Sequence, residues 1–322
     1  MRDVAAAAGV SPMTVSRVVN GEPSVQPETA ARVERAIREL GYQRNDTARQ
    51  LRRKGQATQT LGLVVDDLAN PFFAGLASAV EDVARQRQYI VLIGSSNSDL
   101  RRERELIVAF SARRVDGMII VPAAGSHRFL REHIATGTKV VCVDRRADGL
   151  DLDRVVVDNR RGALTAIGRL IDQGHRRIGY LGDHQGIWTV QERYAGYAQA
   201  LAARGIAPDP SLIRHGLRTR PEAAAAAAAL LRHPAPPTAV FASNDVMTMG
   251  AVDGLYGRGK PVTLVGFDDF ALADKLTPPV SVVVQDPAAI GATAAQLLFS
   301  RIGGDASPAR EVVLATRLLM RP

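Results

Sequence analysis

Ser16 and Arg17 carry side chains that can hydrogen-bond base edges and phosphates, and they lie among Val15, Val18 and Val19, whose i, i+3, i+4 spacing makes one apolar stripe of a short helix. The stretch from Gly9 to Asn20 reads as a turn followed by that helix. Gly9 tolerates the positive φ that closes a preceding helix, Ser11 is a good N-cap, and Pro12 suits the first helical position because its missing N–H needs no partner there. With the valines turned inward, Met13, Thr14, Ser16, Arg17 and Asn20 occupy the remaining surface. Alone, the same pattern also describes an ordinary amphipathic helical hairpin, so the neighbouring sequence must separate the two readings.

The elements that hold this helix are legible on both sides. A first helix is expected from Arg2 to Ala8, and a third from Pro27 to Leu40, where Ala30, Val33, Ala36, Ile37 and Leu40 keep helical spacing and Gly41 ends it. Gly21 to Ser24 supplies the turn between. A polar, basic segment follows to Gly55, with Leu51 as its isolated large aliphatic residue. It is long enough for about two helical turns, which are marginal alone in water and need a partner; a flexible charged linker is the alternative. Residues 1–54 hold ten Arg or Lys against six Asp or Glu, so they carry +4 of the chain's net +8. A basic end of this kind suits a polyanion, although a solvated basic face has the same composition.

From Thr60 the pattern changes to short β-branched runs alternating with helical segments. Strands are expected at Leu61–Val65, Ile90–Ile93, Val115–Val121, Lys139–Val143, Arg154–Val157, Ile178–Leu181, Leu212–His215, Ala239–Phe241 and Val262–Val265. Helices are expected near 72–87, 100–113, 126–135, 160–173, 191–204, 222–232 and 245–257. Continuous apolar strands separated by helices predict parallel sheets covered on both faces, and about ten strands suffice for two doubly wound lobes. The fold class is therefore α/β with an all-α head. Ligands of such sheets bind beyond the carboxyl ends of the strands, which makes the turns Asp66–Asn70, Asp144–Arg145, Gly182–Trp188, Ser243–Asp245 and Gly266–Asp269 site candidates by position.

Composition narrows the function classes. The 322 residues are 46% hydrophobic and 23% charged, too many for one simple core and ordinary for a globular protein of two or three domains. No apolar run of about 18 residues and no signal-peptide core are present, so a cytoplasmic protein with no membrane partner is expected. The lone Cys142 leaves no internal disulfide or cysteine-clustered zinc site, and the six histidines show no metal spacing, so no metal is expected. Gly254 to Lys260 spells Gly-x4-Gly-Lys, but Pro261 replaces the Ser or Thr a phosphate-binding loop requires, and the segment precedes a strand instead of following one. Asp268 and Asp269 are adjacent and point apart, which does not suit an acid/base pair. Neither catalysis nor a cofactor is expected.

Asp3-Val4-Ala5, Ala8 to Ser11, Thr14 to Asn20, Ala48 to Leu51 and Val265 to Asp269 together resemble the LacI/GalR family of bacterial transcription regulators. Val115-Asp116-Gly117, Gly174 to Ile178, Arg193 to Tyr197 and Pro279-Val280-Ser281 follow in the order that family shows. The resemblance covers essentially the whole chain and implies a helix-turn-helix domain at 1–44, a hinge helix and linker at 45–56, and an effector-binding and dimerisation domain at 57–322 like the periplasmic binding proteins. Its first lobe would take about 57–157 and 286–308, its second about 158–285 and 309–322. By the resemblance, the second helix lies in the major groove of operator DNA, with Pro12, Met13, Thr14, Ser16 and Arg17 facing bases and Thr14 and Asn20 also holding phosphates. Arg17 is chemically suited to guanine. Residues 45–53, including Ala48, would form hinge helices in a homodimer, Leu51 wedging a minor-groove step.

For the effector, the resemblance implies a small molecule between the lobes, a sugar or related polyol or nucleoside. Matching positions are Asn70, Phe72 and Phe73 on the first lobe, Asp144 and Arg145 near a crossover, Trp188, Arg193, Asn244, Asp245 and Asp268 on the second, and Gln285 at the return crossover. Carboxylates, amides and an arginine bind hydroxyls in pairs while aromatic faces cover C–H surfaces. The expected protein is a dimeric transcription regulator, a repressor, controlled by that effector. The alternative is a cytoplasmic sugar-binding or enzymatic protein whose helical end makes some other contact. One departure from the family pattern concerns the third helix, where Gln26 replaces the usual Ser cap and Pro27 must help start it.

Overall fold

The computed structural model describes residues 1–19, 22, 24–42, 57–257 and 261–321, and the contacts divide the chain into two units, Met1–Thr58 and Gln59–Pro322. The first unit contains α1 (Arg2–Ala8), α2 (Pro12–Val19) and α3 (Pro27–Glu39). Gly9 closes α1 at φ 62° with its N–H returned to the helix, as the sequence requires. α3 starts at Pro27 behind Gln26, whose side chain makes no cap hydrogen bond. The three helices share a small aliphatic core of Val4, Ala5, Ala8, Val15, Val33 and Ala36, with Val18, Val19 and Ile37 packed against it.

The second unit contains two six-stranded sheets of the same topology. In the first lobe β1 (Thr60–Val65), β2 (Ile90–Ser95), β3 (Gly117–Ile120), β4 (Lys139–Val143), β5 (Asp153–Val157) and β11 (Glu311–Leu314) lie in the order β11-β5-β4-β3-β1-β2, all parallel. α4 (Pro71–Gln86), α5 (Leu100–Ala112), α6 (Leu130–Ala135) and α11 (Pro287–Ile302) cover its faces. In the second lobe β6 (Ile178–Leu181), β7 (Ile213–Arg214), β8 (Ala239–Ala242), β9 (Thr263–Phe267), β10 (Ser281–Val284) and β12 (Arg317–Leu319) lie in the order β12-β10-β9-β8-β6-β7, only β12 antiparallel to its neighbour. α7 (Asn159–Asp172), α8 (Trp188–Ala202), α9 (Arg220–Leu231) and α10 (Asp245–Leu255) complete it.

The structure departs from the expected pattern at three places. Residues 309–314 were expected in the second lobe, yet β11 pairs with β5 of the first, so the last crossover falls between Leu314 and Arg317. β10, α11, β11 and β12 lie beyond the last strand the periodicity marked; β11 and β12 are short strands at the sheet edges. The helix expected from 126 starts only at Leu130, since Ser126 bridges Asp148 and the His127 N–H donates to the Asp148 carbonyl.

Helices on one sheet face approach closely where glycine removes the side chain. A Cβ on Gly196 of α8 would stand 2.2 Å from the Arg160 carbonyl oxygen of α7, and one on Gly291 of α11 would stand 2.4 Å from that of Leu76 of α4. Backbone cannot yield there as a flexible side chain would. Gly196→Ala is therefore expected to destabilise the second unit by about 1–3 kcal/mol, lowering Tm by roughly 2–4 °C for each kcal/mol. An unchanged Tm in a thermal melt would show that the pair separates without cost.

Candidate functional site

The exposed face of α2 is built as its sequence spacing requires. Ser11 Oγ accepts from the Thr14 N–H at 3.1 Å and lies 3.0 Å from Thr14 Oγ1, so the cap is formed by two hydroxyls and a backbone amide. Val15 is fully buried; Pro12, Met13 and Arg17 are exposed, and Thr14 and Ser16 are half-buried. Arg17 Nε stands 3.8 Å from Glu22 Oε2 in a pair that is about half exposed, a contact too weak to hold the guanidinium away from another partner. Arg32, Arg35 and Arg38 are exposed along α3. Asn20, Ala48 and Leu51, like the expected hinge helix, lie outside the described residues.

Between the lobes of the second unit is a cavity of about 320 Å³, at the lower end of the range for small-molecule sites. Ten of the expected effector residues line it: Asn70, Phe72, Phe73, Asp144, Arg145, Arg193, Asn244, Asp245, Asp268 and Gln285. Phe73 also belongs to the first-lobe core, and Phe72 meets it edge-on with ring centroids 5.0 Å apart. Trp188 does not line the cavity. It begins α8, whose inward face presents Thr189, Val190 and Arg193 instead, and its half-buried ring packs under the Arg146 guanidinium at 4.9 Å. Asp269 is also outside and pairs with Arg321 at 2.8 Å.

The two sheets present acids at equivalent strand ends. Asp144 follows β4 at φ 63° and Asp268 follows β9 at φ 70°; each N–H donates to the adjacent strand, to Val155 O at 2.9 Å and Val283 O at 2.8 Å respectively. This left-handed turn is uncommon without glycine and aims both carboxyls into the cleft. Arg145 Nη2 donates to Asp66 Oδ2 at 2.6 Å and its Nε to Asp144 Oδ2 at 3.2 Å, while Ser98 Oγ donates to both Asp66 oxygens. In the second lobe Arg193 donates to Asn159 Oδ1 at 2.7 Å, the Ser243 carbonyl at 2.6 Å and Asp268 Oδ2 at 3.4 Å, and stacks 3.6 Å over Phe267. Gln285 Nε2 donates to Asp268 Oδ1. Asn70 caps α4 through the Phe72 N–H and donates across the cleft to Asp245 Oδ1 at 3.2 Å.

Burial sets the charge of these acids. It pushes Asp268 up to about 6 despite the opposing Arg193, and holds Asp144, Asp183 and Asp245 above the ordinary carboxylate range. Asp66 is held below that range because Arg145 and the Ser98 hydroxyl outweigh its burial. The cavity is thus a wall of hydrogen-bond acceptors steadied by two arginines, a surface suited to hydroxyl donors. Asp66, Asn97, Ser98, Asp183, Thr189 and Arg218 also line it without having been singled out individually. Asp66 and Asp183 stand in turns marked by position, just past β1 and β6; the others lie on turns or helix starts without a local chemical signature.

Three-helix head and two-lobed core with a polar cleft define a class: bacterial regulators that join a helix-turn-helix to a periplasmic-binding-protein-like domain. A family model for bacterial regulatory proteins of the lacI family matches residues 1–45, and one for the periplasmic binding protein-like domain matches residues 167–322. The ribose operon repressor of Haemophilus influenzae is 31% identical across 100% of this chain and 97% of its own length. Among solved structures, a CelR–cellobiose complex is similar at 32% identity and TM-score 0.74, covering 99% of this chain and 98% of that one. The lac repressor dimer bound to operator and an anti-inducer is similar at 26% identity and TM-score 0.85, covering 99% and 97%. The chain belongs to the lacI family of bacterial regulatory proteins.

The raised Asp268 yields a pH signature. Its folded value of about 6 exceeds the ordinary 3.8, so between these values the folded state binds more protons than the unfolded one. Its contribution to stability is full below about pH 4 and is lost as pH rises through about 6. Asp268→Asn, which keeps the shape and removes the titration, should lose less Tm between about pH 4 and pH 7 than the parent chain; parallel Tm curves would show that Asp268 does not titrate there.

Proposed function

We propose that the protein is a homodimeric, cytoplasmic transcription repressor, without catalytic activity, whose affinity for a near-palindromic operator is set by a polyhydroxylated effector in the interlobe cleft. The observation that carries the effector assignment is the convergence of Asp144 and Asp268 from equivalent strand ends onto one cavity, each beside an arginine that is already hydrogen-bonded. Buried acceptors of this kind reward a ligand that supplies several O–H donors and penalise an apolar one. Ribose and cellobiose, named for the relatives, belong to that class.

The α2 face supports the DNA assignment: a capped helix with Met13 and Arg17 outward and basic α3 beside it in the chain. In a dimer, two such helices read two half-sites. Effector binding favours one orientation of the two lobes, and in the dimer that orientation governs whether residues 45–56 can pair. The wedge role of Leu51 rests on its sequence context alone.

A salt titration against a palindromic site and a scrambled duplex tests this reading. Operator affinity should fall steeply with salt, and Arg17→Ala should lose about 1–3 kcal/mol of discrimination while leaving effector binding intact. Equal affinity of the parent chain for the scrambled duplex would refute sequence-specific regulation. A thermal-shift screen over sugars, polyols and nucleosides identifies the effector class, and Asp268→Asn should abolish the shift of any hit that uses the cleft.

A further inference from the structure

Charge is sorted along the cleft. Deep inside, the arginines are spent: Arg145 on Asp66 and Asp144, Arg193 on Asn159, the Ser243 carbonyl and Asp268. Toward the mouth, a second cavity of about 540 Å³ shares Asn97, Ser98 and Arg218 with the first and adds Ser96, Asp99, Leu100 and Arg102. Two exposed arginines therefore face one chamber, Arg102 from α5 of the first lobe and Arg218 from the loop before α9 of the second.

The acids around this chamber are already committed. Asp99 accepts from the Arg101 and Arg102 backbone amides as the cap of α5. Glu222 accepts from the Arg218 and Thr219 backbone amides in the capping box of α9. Asp66 is held by Arg145 and Ser98, and Asp183 accepts from the His184 N–H and the Asn244 amide. Among the described residues neither the Arg102 nor the Arg218 guanidinium forms an ion pair within 4 Å. Oriented with its nitrogen toward the Asp66 carbonyl, the Asn97 amide presents its oxygen to Arg102 Nη1 at 3.0 Å, a neutral contact that leaves the charge uncompensated.

Two like charges on opposite lobes resist closure unless an anion bridges them. A phosphate monoester, near −2 at neutral pH with three acceptor oxygens, matches two guanidinium forks in charge and in number of acceptors. We propose that the outer chamber is an anion subsite and that the effector is a phosphorylated polyol, its hydroxyls on the inner aspartates and its phosphate shared by Arg102 and Arg218. The phosphate then acts as a clasp between lobes. This rests on the reading of the inner cleft as the effector site.

The test uses the full chain and two kinds of probe. Inorganic phosphate, titrated by 31P NMR or calorimetry, should bind saturably, weaken about tenfold or more in Arg102→Ala and in Arg218→Ala, recover partly in Arg218→Lys, and be unchanged in Asp268→Asn. Matched pairs, ribose with ribose 5-phosphate and glucose with glucose 6-phosphate, should show a phosphate preference in at least one pair that both arginine variants erase, and Arg102→Ala, which lies outside the inner cavity, should leave the neutral sugar's affinity unaltered. Phosphate binding indifferent to both arginine variants, an adventitious ion only, overturns the subsite. Neutral sugars that depend on Asp268 but gain nothing from phosphate overturn the phosphorylated-effector assignment, while the inner-cleft reading stands. Arginine-dependent phosphate binding with no sugar sensitive to Asp268→Asn supports the subsite and instead overturns the polyol assignment of the inner cleft.

Discussion

The cleft between the lobes rests on an arrangement that costs free energy, the burial of carboxylates at the carboxyl ends of parallel strands in two sheets. Asp144 and Asp268 each leave a central strand in a left-handed turn and point into the space between the lobes, where burial disfavours their charge. The surrounding machinery offsets that cost. Arg193 alone gathers Asn159, the Ser243 carbonyl and Asp268 while stacking on Phe267, and Arg145 does the same for Asp66 and Asp144. Remove either guanidinium and several buried groups lose their partner at once, which is why these residues position the acids as well as compensate them.

Much of this was legible in sequence because the physics is local or periodic. Ser11 and Pro12 start α2 through a cap that involves only neighbours, and Val15, Val18 and Val19 reveal the buried face by spacing alone. The parallel strands declare themselves as unbroken apolar runs, and the rule that ligands sit past their carboxyl ends marks Asp66, Asp144 and Asp183 before any contact is known. What was missed depends on which way a helix is rotated or on pairing far along the chain. Trp188 has the chemistry of a ring-stacking residue, but its place at the start of α8 turns it toward Arg146. Arg218 and Ser98 carry no signal in their neighbours; only the meeting of the lobes puts them in one cavity. β11 and β12 are too short for periodicity to register, and their partners, β5 and β10, lie more than a hundred and about 35 residues away respectively.

The repeated topology explains why the cleft is built from matched parts. β4 and β9 occupy the same position in the two sheets, as do β1 and β6, so the acids following them, Asp144 with Asp268 and Asp66 with Asp183, come in pairs from opposite sides. The pairs are not treated alike. Arg145 and Ser98 hold Asp66 below the ordinary carboxylate range, whereas burial outweighs the His184 N–H, the Asn244 amide and the more distant Arg145 and Arg218 at Asp183 and pushes it the other way. A ligand in this cleft meets a symmetrical frame with an asymmetrical charge pattern, and that difference can orient it end to end.

The same accounting links ligand binding to lobe position. An acceptor that is buried but short of donors is a strained group, and a hydroxyl supplied by a ligand relieves it only if both lobes stand close enough to share that ligand. The Asn70 to Asp245 hydrogen bond is a cross-lobe contact of this type, a neutral donor on a carboxylate whose pKa burial raises above the ordinary value. It is weak compared with what a ligand rich in hydroxyls can offer. A small molecule can shift an equilibrium between two lobe arrangements only by its differential affinity for them. On the proposed reading, the costly burial at the strand ends is what gives a ligand its leverage: with an apolar cleft, a hydroxyl-rich ligand would have no unmet acceptors to relieve.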